Sequence, residues 1–237
     1  MTGTLYLIPC PISEDTQPYD VTPEANRAVI TSLDYFIVEN LRSARRFLSK
    51  AGLSGQIDAL EFDELSEHTT SARDVERMVA KIKAGRSAGV ISEAGVPAVA
   101  DPGQLVVEAC HRAGIRVVPL VGPSSIIMAV MASGLSGQSF AFNGYLPVKE
   151  PDRTRAIKRL ESRAASEHQS QIFIEAPYRN TKLAEQILAT CGAHTRLAIA
   201  CDITSNNEYI RTATIAEWRK MGLPDINKRP TIFILGC

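Results

Sequence analysis

An α/β fold built as two α/β domains with a cleft between them is what this sequence predicts, on three observations. Lys-Ala-Gly52, Lys-Ala-Gly85, Arg-Ala-Gly114, Ala-Ser-Gly134, Thr-Cys-Gly192 and Lys-Met-Gly222 each close a helical-looking segment, because glycine tolerates the left-handed conformation that ends a helix. Short β-branched runs follow several of these stops, at 89–91, 115–119 and 197–200, which reads as helix, stop and buried strand repeated. Loops of small residues and proline then fall where strands give way to helices, the place where open α/β sheets bind ligands.

A strand at 4–8 opens the chain, followed by a loop rich in proline and acids and by a helix that Thr22 and Pro23 start, a capping hydroxyl with proline at the first helical position. Strand 35–38 and helices 41–51 and 74–84 come next; strand 89–91, helix 104–113 and strand 115–120 complete a first α/β set. Asp101, Pro102 and Gln104 specify the opening of helix 104–113 as cap oxygen, first-turn proline and an amide able to reach back. The second half reads as helix 124–133, strand 140–144, basic helix 152–163, strand 172–175, helix 181–190 and strands 197–201, 209–214 and 231–235. Those last strands need no helix between them, so a mixed sheet is expected. The boundary falls near 116–124, giving domains 1–118 and 119–237.

With 45% hydrophobic residues, the 237-residue chain can build a sizeable core. Lys+Arg and Asp+Glu are equal at 26 each, so binding to nucleic acid or to a membrane would need a local patch. Residues 1–12 lack a basic leader segment and are broken by Pro9 and Pro11, and the apolar stretch 115–135 is interrupted by Pro119, Gly122 and Pro123. Neither secretion nor membrane spanning is expected, and the chain reads as cytoplasmic. Cys10, Cys110, Cys191, Cys201 and Cys237 are scattered, with no Cys-x-x-Cys pair and no histidine at ligand spacing, so neither a disulfide framework nor a metal is expected. His68, His111, His168 and His194 read as solvated. Signatures for a phosphate-binding P-loop, for conventional dinucleotide binding, for zinc proteases and for serine hydrolases do not occur.

The strand-end loops are Pro9-Cys10-Pro11-Ile12, Ser92-Glu93-Ala94-Gly95-Val96-Pro97 running into Ala100-Asp101-Pro102-Gly103, Val121-Gly122-Pro123-Ser124-Ser125, and Glu175-Ala176-Pro177-Tyr178-Arg179. Each alone reads as an ordinary turn or cap; together they read as the walls of a ligand cleft. With the flanking segments Gly3-Thr-Leu-Tyr-Leu-Ile8, Val118-Pro-Leu120, Ser133-Gly-Leu135 and Asn143-Gly-Tyr-Leu-Pro147, the chain resembles the tetrapyrrole methylase superfamily. Within that superfamily it is most similar to the branch that 2'-O-methylates ribose in small-subunit ribosomal RNA. The match spans nearly the whole chain and is most specific over 92–135.

That resemblance implies a cofactor cleft holding S-adenosylmethionine in a folded conformation, and a homodimer. By position it implies cofactor contacts at Pro9, Gly95, Val96, Val99, Gly122, Ser125, Ile126, Glu175, Ala200 and Pro230. The family's Thr-Pro-Ile-Gly-Asn loop stands here as Cys10-Pro11-Ile12-Ser13-Glu14, its Glu-Asp-Thr-Arg as Glu39-Asn40-Leu41-Arg42, its Ser-Asp-Ala-Gly-Thr-Pro as Ser92-Glu93-Ala94-Gly95-Val96-Pro97, and its C-terminal Gly-Glu as Arg229-Pro230. The cofactor loops are largely kept, whereas groups that would face the acceptor are altered.

Methyl transfer to a ribose hydroxyl needs in-line positioning and loss of a proton. Glu39 and Glu93 are the candidate bases and Arg42 the candidate phosphate clamp; the bland alternatives are a helix-start acid, a capping loop acid and a solvated helix face. Arg153, Arg155, Lys158, Arg159 and Arg163 on the basic helix form a candidate contact for ribosomal RNA or the small ribosomal subunit. A small acceptor such as a tetrapyrrole precursor, and a non-catalytic relative that only binds the cofactor, are the alternative readings.

Overall fold

Residues 2–13, 15–65 and 71–237 are described by a computed structural model. Glu14 of the altered first loop and His68 lie outside the described residues. The chain divides into two compact units, Met1–Ser124 and Ser125–Cys237. The division falls after Ser124 and not after 118, because the strand expected at 115–120 stays in the first sheet: Pro119 pairs with Leu7, and the Leu120 N–H donates to Leu7 O at 2.9 Å.

The first unit is a parallel sheet of β1 (Thr4–Ile8), β2 (Tyr35–Val38), β3 (Glu61–Glu64), β4 (Ala88–Ile91) and β5 (Arg116–Pro119), in the order β3-β2-β4-β1-β5. Residues alternate along a strand between faces, so Tyr35 and Ile37 enter one core and Phe36 and Val38 another. Parallel strands need both faces covered. α2 (Ala25–Thr31) and α3 (Leu41–Leu48) supply one cover, and α4 (Ala72–Lys83) and α5 (Gly103–Arg112) the other.

Three local expectations give way here. Thr22 does not open a helix; it ends the short α1 (Pro18–Val21) and its hydroxyl donates to Pro18 O at 2.7 Å. The helix expected at 41–51 changes to a wider turn at Ser49–Leu53, closed by Gly52 at φ 116°. Strand β3 lies outside the sequence expectation, because three of the four residues in Glu-Phe-Asp-Glu are acids, which strands disfavour. Its acids are held instead by side chains from other elements. Lys81 Nζ sits 2.6 Å from both Glu61 and Asp63, Arg77 reaches Asp63 at 3.4 Å, and Arg86 pairs with Glu61.

In the second unit the order is β6-β7-β10-β8-β9, with β6 (Phe140–Tyr145) and β7 (Ser170–Ile174) parallel and β8 (Arg196–Cys201), β9 (Tyr209–Thr214) and β10 (Thr231–Gly236) joined by antiparallel pairings. The sheet is mixed, as expected, although of the last three strands only β8 and β9 are joined without a helix, a helical segment lying between β9 and β10. α6 (Ser125–Ser133) covers one face over Ile172, Ala200, Ile232 and Ile234. α7 (Glu150–Glu167), α8 (Asn180–Thr190) and α9 (Ile215–Met221), the helical segment that Gly222 closes, cover the other over Phe173, Ile199 and Phe233. The Thr214 hydroxyl and Glu217 form a reciprocal cap that starts α9, and Trp218 Nε1 donates to Leu197 O at 2.9 Å.

Candidate active site

In the first unit the ends of β1 and β4 and the segment after β5 are tied together by backbone. The Cys10 N–H donates to Gly95 O at 2.8 Å and the Gly95 N–H to Cys10 O at 3.2 Å. Gly95 has φ 69°, open to glycine at little cost, and a Cβ there would lie 3.4 Å from Pro123 O. A Cβ on Gly122 would lie 2.2 Å from the Pro9 ring, so only glycine lets these segments touch. Pro9, Gly95 and Gly122 are therefore brought together. Val96 is half-buried, and Val99 is 49% exposed. Val99 is presented by a loop in which Ala98 and Ala100 adopt φ 65° and 56°, a left-handed conformation that costs alanine energy. Asp101 Oδ1 holds that loop by accepting the N–H groups of Gly103 at 2.6 Å and Ala98 at 3.2 Å.

Glu39 follows β2, and its Oε2 accepts the Glu93 N–H at 3.2 Å. Although the residue reaches solvent, partial burial of the carboxyl raises its pKa above the usual 4.5; the charges of Asp101 and Glu93 add to the rise and the Glu93 N–H opposes it. Glu39, Asn40, Arg42, Arg45 and Glu64 rim a shallow depression. Asn40 Oδ1 accepts the Ser43 N–H at 3.1 Å and caps α3, which explains why asparagine serves where the family has aspartate. The Glu93 side chain is exposed. The structure thus gathers Glu39, Arg42 and Glu93 at one end of the sheet, together with Asp101, which the sequence marked only as a cap. A neighbouring open cavity of about 90 Å³ lies outside the sequence expectations; Cys10, Ser13, Ser43, Arg46, Lys50 and Glu93 are among its lining residues. The helical spacing of Ser43, Arg46 and Lys50 was its one sequence signal. Burial drives the Cys10 thiol far above its ordinary pKa, which keeps it out of nucleophilic chemistry.

In the second unit Glu175 follows β7 with its side chain fully buried. Its Oε1 accepts the Ala176 N–H at 2.7 Å and Arg179 Nη2 at 2.6 Å, while Oε2 is buried without a protein partner. The Glu175 carboxylate in turn raises the pKa of Arg179. Asn180 Nδ2 donates to Arg229 O at 2.6 Å, and the Asp202 N–H donates to Pro230 O at 2.9 Å. Ala200 pairs with Ile232 in the adjoining strands. Glu175, Ala200 and Pro230 hence share one end of this sheet, and Ser125 and Ile126 start α6, half-buried. Arg229, where the family has Gly-Glu, spans three segments: its guanidinium donates to Asp202 Oδ2 at 2.7 Å, to Asp225 O at 2.5 Å and to Asn207 O at 2.6 Å.

The five-residue basic face expected on α7 does not form. Arg153 is buried, donating to Gln186 Oε1 and, at 3.3 Å, to Val148 O. Arg155 pairs with Asp152, and Arg163 bonds Glu167 and Gln169. Lys158 and Arg159 remain exposed. Among the described residues no cluster of metal-ligating side chains occurs and no helix is long and apolar enough to cross a membrane.

Comparison with known proteins gives this geometry its context. The ribosomal RNA small subunit methyltransferase I of Escherichia coli O157:H7 is 32% identical over 233 residues, covering 98% of this chain and 77% of that protein. Its namesake from Vibrio cholerae serotype O1 is 32% identical over 98% of this chain and 75% of its own length. Among solved structures, the methyltransferase CobJ superposes with a TM-score of 0.61 at 17% identity, covering 99% of this chain and 94% of that one. The uroporphyrin-III C-methyl transferase of Thermus thermophilus, complexed with S-adenyl homocysteine, gives 0.57 at 16% identity over 99% and 97%. These two share the fold. Residues 5–218 match the tetrapyrrole (corrin/porphyrin) methylases as a family, and with that match over most of its length the chain belongs to the tetrapyrrole methylase family.

Proposed function

We propose that this methyltransferase transfers the methyl group of S-adenosylmethionine to a ribose 2'-hydroxyl of small-subunit ribosomal RNA. The observation that carries the reading is near-full-length similarity, at 32% identity, to relatives named as ribosomal RNA methyltransferases. The residues present also fit the cofactor. In the first unit, Pro9, Gly95 and Gly122 let backbone segments meet without side chains in the way, beside Val96 and Val99. In the second, the unpartnered, buried Glu175 Oε2 is an acceptor suited to an amine of the cofactor, near Ala200 and Pro230, with Ser125 and Ile126 at the start of α6. When bound, S-adenosylmethionine supplies a methyl group made electrophilic by its sulfonium.

The chain's part is to place the acceptor and remove its proton. Glu39 is the base: a carboxyl whose pKa is raised accepts a proton more readily than an ordinary one. The Glu93 N–H fixes its orientation. Arg42, in the first turn of α3, holds an adjoining phosphate. Titration calorimetry with S-adenosylmethionine and S-adenosylhomocysteine, followed by transfer of labelled methyl to purified small ribosomal subunits, tests the reading. Micromolar binding, worth about 8 kcal/mol, with label in ribose supports it. Binding followed by label only in a tetrapyrrole precursor overturns the acceptor, and binding of neither ligand overturns the assignment.

The enzyme works in the cytoplasm as a homodimer on this reading. Ile127 and Met131 on α6, 45% and 76% exposed, leave apolar surface for a second copy. Sedimentation velocity decides between dimer and monomer.

A further inference from the structure

At one end of the second sheet, two tyrosines stand largely in solvent around an arginine that the fold has already immobilised. Along β6 the pairing with β7 shifts between Phe142 and Tyr145, Gly144 adopts φ 64°, and Tyr145 lands opposite Ile174. Its side chain leaves the core: Leu146 beside it is buried, whereas Tyr145 is 64% exposed. Tyr178 lies in the turn Pro177–Arg179 and is 66% exposed. Arg179 follows. Its guanidinium carbon lies 5.0 Å from the centre of the Tyr178 ring, Nη1 donates to the Tyr178 hydroxyl at 2.9 Å and Nη2 to Glu175 at 2.6 Å. Tyr145 is near enough to bear on the Arg179 charge. Lys228 is exposed beside the same turn, its backbone N–H donating to Pro177 O at 3.0 Å.

We propose that Tyr145, Tyr178 and Arg179 form a stacking platform for an unpaired base of the RNA acceptor, an inference that rests on the RNA reading above. Unpaired RNA is recognised by stacking its bases on aromatic rings and on guanidinium planes. Glu175 and the Tyr178 hydroxyl fix the guanidinium before anything binds, so little side-chain freedom is left to lose. Lys228 places a cation within the same surface for the sugar-phosphate chain. None of these groups takes the proton or touches the reacting methyl; their work is to register the strand.

The test uses the full-length enzyme with Tyr145→Leu, Tyr178→Leu, the double variant, and the ring-preserving Tyr178→Phe and Tyr145→Trp. Acceptor KM is measured on small ribosomal subunits, and stacking directly on a short single-stranded RNA carrying 2-aminopurine, whose fluorescence falls when its base stacks. Each leucine variant is expected to raise KM about tenfold and to lose most of the quenching, while phenylalanine and tryptophan stay within about twofold of wild type. The affinity for S-adenosylmethionine and the melting temperature, which exposed rings scarcely influence, report that the fold is intact. Leucine variants with wild-type KM and quenching overturn the platform. A double variant that turns a dimer into a monomer overturns it too, assigning the face to a second copy. Methylation of small subunits by the wild type, scored separately, shows whether a failure lies with the platform or with the acceptor reading beneath it.

Discussion

The strand ends of the two units solve the same problem with different materials. In the first unit, backbone touches backbone: Cys10 bridges Gly95, and Gly122 admits the Pro9 ring where any side chain would collide. In the second, side chains do the joining: Glu175 grips Arg179, Asn180 grips the Arg229 carbonyl, and Arg229 ties Asp202, Asn207 and Asp225. A parallel sheet covered on both faces leaves its glycine loops to shape a surface. A mixed sheet, whose returning strand β10 begins beside the ends of β7 and β8, has polar groups to satisfy there. The first kind of end is intolerant of added volume, and the second of lost hydrogen bonds. The proposed chemistry divides likewise, with Glu39, Glu93 and Arg42 on the first unit and the rings and fixed guanidinium on the second.

Four changes break or sharpen that contrast. The largest effect is expected from Glu39→Gln, which removes the proposed base and should lower turnover at least a hundredfold while cofactor affinity, read by calorimetry, holds. Because the Glu39 pKa is raised, the wild-type rate should fall with decreasing pH already above the ordinary carboxylate value of 4.5; a pH–rate profile in which Glu39→Gln keeps that limb removes Glu39 from the mechanism. Next comes Glu175→Ala. It leaves the Arg179 guanidinium without its buried carboxylate and should cost about 3 kcal/mol in urea unfolding, with Glu175→Gln recovering part. Gly122→Ala should cost about 2 kcal/mol by overpacking against Pro9 and weaken S-adenosylmethionine binding; normal affinity in a well-folded variant would mean that the first unit's contact is not needed for the cofactor.

The smallest effect concerns β3. Burial pushes Asp63 up, but hydrogen bonds from Lys81 and Tyr35 outweigh it and hold the carboxyl below its usual 3.8; bonds from Lys81 and Arg86 hold Glu61 below 4.5. Such groups stabilise the fold above their unfolded pKa and lose that contribution as pH falls through the folded value. Lys81→Met should therefore cost up to about 1 kcal/mol at neutral pH and nothing near pH 2, as thermal melts at the two pH values would show.

Most strands were legible because their cores declare themselves: Tyr35–Val38 is apolar throughout, and a parallel strand buried on both faces has to be. What stayed hidden depended on distant partners. β3 is a strand because Lys81, Arg77 and Arg86 neutralise its acids, and no local window contains them. Arg153 read as a surface charge because Gln186, which receives its N–H, lies a helix away. The site shows the same limit. Gly95 and Gly122 could be named from the loops they sit in, yet the collision that demands glycine at Gly122 arises only once Pro9 is folded against it. Asp101 is expected as the cap of α5, but Pro102 takes that position and Asp101 Oδ1 binds the N–H groups of Ala98 and Gly103 instead; its bearing on Glu39 needed β2 and the loop after β4 side by side.

The acidic β3 has a consequence for life before the fold is complete. It lies at the rim of its sheet, where backbone donors and acceptors face outward, and an unguarded rim strand recruits strands from other chains. Two carboxylates and the cations that hold them make that rim a poor template for a newcomer. Replacing Glu61 and Asp63 by valine would make the segment a better strand and the protein a worse neighbour: at high expression more of it should settle into the insoluble fraction, although each molecule would be better suited to its own sheet.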